Sequence, residues 1–199
     1  RDVASLIEYA GLNRSTKLWL PISLDTDGQP LENSSFRSQA TSFYNDSRPY
    51  KEELYESSAL NRLIGTIQPG IEYANHPTSN EYDINTEYDQ VQVFKVSHSN
   101  SSADEMQLIY EGITYDPCSL YKITNSDEDG HAITTFKDKL GRVVLERQNG
   151  NDTYYVYDLK GMLCYVLPPL AAKQISTGVH GDDVAVLKKY AYVYKYDER

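Results

Sequence analysis

The chain has 199 residues and a formal charge of −10 at pH 7, with no Lys/Arg cluster set against it. That charge argues against a phosphate-binding surface and so against nucleic acid as a partner. No apolar run approaches the length of a membrane span, and Cys118 and Cys164 are too few for a disulfide scaffold.

Taken in order, Leu6 to Arg14 reads as a degenerate strand, turn and strand, with Ala10 and Asn13 in the turn and Arg14 opening the return arm. Lys17 to Leu20 continues that arm, and Pro21 ends it because proline cannot donate to a ladder. Residues 23–35 read as a polar loop. Phe36, Ala40, Phe43 and Tyr44 then fall at i, i+4, i+7 and i+8, which predicts a short amphipathic helix with Asn33 to Ser35 as caps. Tyr55-Glu56 and Leu60-Asn61-Arg62 repeat the first turn with two more residues in it. Asn13 and Asn61 thus stand where Gly141 stands in Leu140-Gly141-Arg142, and Asn and Gly are the residues most at home at positive φ. Residues 65–90, with Pro69-Gly70 and His76-Pro77, read as irregular. Val91 to Val96 predicts a strand, Ser97 to Asp104 a polar turn, and Met106 to Tyr115 and Leu120 to Thr124 further strands.

From Asn125 hairpin follows hairpin. Tyr154 to Leu167 is two β-rich arms around Asp158-Leu159-Lys160-Gly161, with Tyr155 and Tyr157 on one face and Tyr154 and Val156 on the other. Phe136 to Leu145 has the same design, Asp138 and Gly141 recurring 20 residues on as Asp158 and Gly161. Repetition at fixed spacing marks a stacked array. Pro168 to Asp183 interrupts it, with Asp182 as the cap of a helical turn. Tyr190, Tyr192, Tyr194 and Tyr196 then alternate, predicting a strand to Asp197 with one aromatic face, the opening half of a third copy. The chain opens on Arg1 and stops at Arg199 within that copy, which predicts an excised piece whose last strand is an exposed edge prone to self-association.

Sites of known chemistry are scarce. Asn125 to Gly130 carries the first half of a calcium loop, but Phe136 stands where the bidentate acid belongs, so a plain hairpin turn explains it better. Asp25 to Gly28 is a weaker match still. His76, His98, His131 and His180 are scattered, without metal spacing. No hydrolase, metalloprotease, phosphate-loop or dinucleotide fingerprint occurs. Asn-x-Ser/Thr triplets such as those at Asn33, Asn45, Asn100 and Asn151 are chance-level in so Asn/Ser-rich a chain. Aromatic usage is lopsided, 18 Tyr against 4 Phe and 1 Trp, which suits a half-buried sheet face. Such rings either pack between successive hairpins or line a sugar-binding surface, and packing is favoured.

Tyr155, Tyr157, Asp158 and Gly161 form a Tyr-x-Tyr-Asp-x-x-Gly motif that resembles the YD repeat of bacterial Rhs proteins, their wall-associated relatives and the teneurins. Asp138, Gly141 and Arg142 match its Asp-x-x-Gly-Arg half, and Tyr194, Tyr196 and Asp197 its opening half. The resemblance is clear over 125–199, with diverged copies at Tyr9 to Arg14 and Tyr55 to Arg62. Three departures stand out: Phe136 sits two before its Asp, on the opposite face or at a bulge; Met162 replaces the usual Arg; and Ala10 and Asn13 replace Asp and Gly. The resemblance implies the N-terminal part of a β-hairpin strip curling into a shell, in a large secreted or cell-surface bacterial protein that encloses or presents a C-terminal toxin or effector. The family's self-cleaving segment has no counterpart.

The expectation is therefore a mostly β fold of repeated hairpins in a curved antiparallel sheet or partial shell, with one or two short helices. Residues 1–124 form a diverged region with long loops and 125–199 the regular hairpins, or the whole is one domain. Its role is structural, without catalysis, cofactor or metal, and its partners are neighbouring repeats and the cargo of the same chain. The alternative is a carbohydrate-binding or adhesive surface module.

Overall fold

The computed structural model describes residues 2–98, 106–176 and 183–196. The fold is mostly antiparallel β, as the hairpin pattern predicts, with three short α-helices among the described residues. The chain divides into two compact units, residues 1–81 with 125–131 and residues 82–124 with 132–199.

In the first unit, β1 (Asp2–Ala4), β2 (Ile7–Ala10), β3 (Arg14–Trp19) and β4 (Ile22–Leu24) precede helix α1 (Asn33–Tyr44), and β5 (Tyr50–Tyr55), β6 (Leu63–Ile67) and β7 (Thr78–Ile84) follow it. The strands pair in the order β7-β6-β5-β3-β2, and β1 pairs with β4. Helix α1 forms where the i, i+4 spacing of Phe36 and Ala40 puts both on one buried face. Those two pack with Trp19, Ile22 and Leu24, the Trp19 and Phe36 rings meeting edge to face at 6.4 Å. Asn33 to Ser35 are not its caps, correcting the expectation: they lie inside the first turn, and Glu32 at the N-cap makes no side-chain bond. The helix stops because Asn45 turns left-handed (φ 50°) and Asp46 N–H reaches back to Thr41 O. Phe43 and Tyr44 are exposed.

Residues 65–90 are not irregular. They hold most of β6 and all of β7, with 3₁₀ turns at Ile71–Asn75 and Glu87–Asp89. The polar strand β7 forms because β6 offers it a ladder, Gly65 opposite Ser79 and Thr66 opposite Thr78, and the Asn80 amide donates to Leu63 O.

In the second unit, β8 (Gln92–His98) and β9 (Met106–Thr114) form a ribbon. The strands β10 (Tyr121–Ser126), β11 (Ala132–Lys137), β12 (Val143–Gln148), β13 (Asn151–Tyr157) and β14 (Leu163–Leu167) follow. Helices α2 (Pro169–Ser176) and α3 (Asp183–Tyr190) then lead to β15 (Tyr192–Val193). The order β10-β11-β12-β13-β14-β15 follows the chain, as hairpin repeats require. One face of this sheet is the core: Phe136, Leu145, Tyr154, Val156 and Leu167 are buried against Phe94 of the ribbon and Ala171, Ala172 and Ile175 of α2. Asn85 is buried as well, its side chain donating to Asp116 O and accepting from Leu120 N–H, so that both ends of the amide have a partner.

The expected strand from Tyr190 to Asp197 is shorter than predicted. Tyr190 ends α3, since Val186, Leu187 and Tyr190 pack together on the core, and the strand itself is Tyr192–Val193. Asp182, the expected cap, Asp197, and Ser99 to Asp104 of the expected polar turn lie outside the described residues.

Candidate functional site

The repeated hairpin turn is the feature from which any role must be read. At Asp138 the backbone N–H donates to Arg142 O (2.9 Å) while Gly141 N–H donates to Asp138 O (2.9 Å). The carboxylate accepts from the amides of Leu140 and Arg142, and its other oxygen takes Arg142 Nε at 2.7 Å. Gly141 sits at φ 82°, the left-handed residue that closes a three-residue hairpin loop. Asp158 repeats the backbone bonds with Met162 and Gly161, and its carboxylate takes the Met162 amide at 2.8 Å. Asp127 repeats them with His131 and Gly130, its carboxylate accepting from the Asp129 and His131 amides. That carboxylate serves the turn, as the plain-hairpin reading of this stretch has it.

The diverged copies keep the geometry with other residues. Asn13 and Asn61 take φ 54° and 56°, where the motif has glycine. Glu56 spans the longer turn by accepting from Arg62 N–H at 3.2 Å and, in a fork, from Arg62 Nε and Nη2. Ala10 has no carboxylate, and Arg14 instead donates Nε to Gly11 O.

A second regularity lies one residue further out. Register shifts occur at Glu8/Tyr9, Leu54/Tyr55, Phe136/Lys137 and Val156/Tyr157. Each hairpin therefore bulges at the same distance from its turn, with Thr16, Ile64, Val144 or Cys164 as the extra residue on the return strand. Phe136 occupies the place of Val156, on the buried face, and Lys137 the place of Tyr157. The departure of Phe136 from the motif is thus a change of face.

The structure brings the tyrosines to neighbouring hairpins. Tyr157 donates its hydroxyl to Val143 O at 3.0 Å and Tyr155 to Glu146 Oε2 at 2.8 Å. Burial first, and Glu146 second, push the Tyr155 phenol up to about 12. Tyr194 bonds through its backbone N–H to Cys164 O, and Tyr196 through its hydroxyl to Leu163 O. The motif does not contain Asn149-Gly150, yet these two, both at positive φ, make the turn joining β12 to β13; the Asn-Gly dipeptide is the signal for it.

Residues 1–89 match the family model described as a domain of unknown function, DUF6443. No curated protein and no solved structure matches the chain.

A polar cleft of about 390 Å³ lies in the second unit between Gln90, Gln92, Arg147, Asp152, Tyr154 and Lys173. Arg147 forks onto Asp152 at 2.7 and 2.8 Å and donates Nη1 to Asp89 O, and Asp89 in turn pairs with Lys122 at 2.7 Å. The bond to Asp152 raises the Arg147 guanidinium, and burial raises the Tyr154 phenol to about 12. Burial pushes Asp89 up, but bonds from Lys122 and Thr86 outweigh it and the net shift is down. Each of these shifts moves its group away from neutral pH. The arrangement binds loop to sheet.

Proposed function

We propose that this segment is part of a YD-repeat shell in a large secreted or cell-surface bacterial protein, a structural wall around or beneath a C-terminal toxin or effector. The observation that carries the reading is the recurrence of one unit, a left-handed Asn or Gly closing the turn with a register shift at fixed distance, in four hairpins. A single hairpin is marginal in water and gains stability by pairing with the next, which is the logic of an array. The reading assigns no catalysis to this segment. Its partners are the neighbouring repeats and the cargo of the same polypeptide. The carbohydrate-binding alternative has less support, because Tyr155 and Tyr157 spend their hydroxyls on the adjoining strand.

Limited proteolysis of the full-length polypeptide tests this. The region C-terminal to the repeats should resist protease in the wild type and become cleavable when Gly141 and Gly161 are both replaced by proline. Equal cleavage in the two proteins would rule out an enclosing wall.

A further inference from the structure

Two exposed turns share one backbone shape and differ in what holds the glycine amide. Asp27-Gly28 has φ 49° and 74°, and Asn149-Gly150 has φ 51° and 74°, the left-handed pair that Asp-Gly and Asn-Gly favour. In the first, the Gly28 N–H donates to the Asp2 carboxylate at 2.9 Å. In the second, among the described residues, the Gly150 N–H has no acceptor and the Asn149 side chain makes no hydrogen bond. Asp129-Gly130 sides with the first turn, its glycine amide donating to Asp127 O at 3.1 Å.

The backbone nitrogen that follows an asparagine can attack the side-chain amide carbon. Closing that succinimide ring joins Gly150 N to Asn149 Cγ, breaks the Cγ–Nδ2 bond and, with the amide proton passed on, releases ammonia. Solvent water then opens the ring at either carbonyl and leaves aspartate or isoaspartate. A hydrogen bond that occupies the N–H slows the closure, and so does a side chain that crowds it. Gly150 is subject to neither, and even a Cβ built on it would meet nothing within 4 Å. No other asparagine in the sequence precedes a glycine.

We infer that Asn149 is a self-modification site, deamidating through attack by the unheld Gly150 nitrogen with water as the co-reactant. The isoaspartate product routes the chain through Cβ and so adds a backbone atom to the turn. That turn's length sets the pairing of Gln148 with Asn151, so the product loosens the join of β12 to β13 and puts a carboxylate where the amide stood. The site is independent of the shell reading, since it rests on this turn alone.

Timed incubation of the folded 199-residue chain in mildly alkaline buffer, followed by peptide mapping with mass spectrometry, tests it. The peptide holding Asn149 should gain the mass of an amide-to-acid change and contain isoaspartate, well ahead of the peptides holding Asn13 and Asn61. Asp27→Asn places the same dipeptide in the same turn under the Asp2 carboxylate. Position 27 should then convert at least about tenfold more slowly than Asn149, the worth of a hydrogen bond to a charged group. Adding Asp2→Ala to that variant should bring the two rates together. Failure of Asn149 to outpace Asn13 and Asn61, equal rates at 27 and 149 in the single variant, or a gap that survives Asp2→Ala would each overturn the inference.

Discussion

Arg142 serves two hairpins at once: its Nε and Nη2 bind Asp138 of its own turn at 2.7 Å while its guanidinium lies over the ring of Tyr157 in the next. A charged fork needs a carboxylate in its plane and an aromatic face beneath it, and lysine supplies neither geometry. Arg142→Lys should therefore lower the denaturant midpoint although charge is kept. Tyr157→Phe keeps the ring under the cation and loses the bond to Val143 O, so it should cost about 0.5–1.5 kcal/mol. A larger loss in Tyr157→Phe than in Tyr157→Leu would show that the ring contributes nothing.

Two glycines should fail for different reasons. A Cβ on Gly141 meets nothing within 4 Å, so Gly141→Ala carries only the strain of φ 82°, about 1–2 kcal/mol. Gly65 has ordinary φ, but a Cβ there would lie 2.9 Å from Thr78 O, within the β6–β7 ladder. Gly65→Ala should cost about 1–3 kcal/mol by forcing those strands apart. Asn13→Gly, at φ 54°, should be nearly neutral. Equilibrium unfolding of the three variants separates strain from crowding.

Acid should loosen the turns first. The Arg62 side chain, chiefly, holds the Glu56 carboxyl down to about 2. Asp127 is lowered mainly by the His131 amide; at Asp138 burial pushes up, but bonds from Arg142 and Leu140 outweigh it and the net shift is down. Groups that titrate lower when folded give their full stabilisation above the unfolded value, about 4, and lose it as pH falls through the folded one. Stability should be flat from neutrality to about pH 5 and fall between about pH 4 and pH 2. Asp138→Asn should fall less steeply in that window. An identical slope would assign the acid loss to other groups.

Calcium should leave the melting temperature unchanged. Asp127 Oδ1 already accepts two backbone amides, and Oδ2 lies 3.1 Å from the His131 ring. A ligand that binds the folded state must stabilise it, so a rise in melting temperature at millimolar calcium would overturn this expectation.

The sequence by itself determined the turns. Asp138 and its amide partners lie within four residues of one another, and Asn or Gly at positive φ is a property of the residue itself, so Asp138, Gly141, Asp158, Gly161, Asn13 and Asn61 are legible without a fold. Tertiary structure decided what depends on a distant strand. Polar Thr78 to Ile84 became β7 because Gly65 and Thr66 needed partners, and an alternating Tyr190 to Tyr196 yielded its first ring to α3 because Val186 and Leu187 pack beside it. The partner of Arg142 was equally hidden, since Tyr157 lies beyond a whole strand pair and reaches it only when two hairpins stand side by side. Bonds within a turn are fixed by a few dihedral angles, whereas a ladder or a stacked ring forms only once the sheet has brought its two halves together.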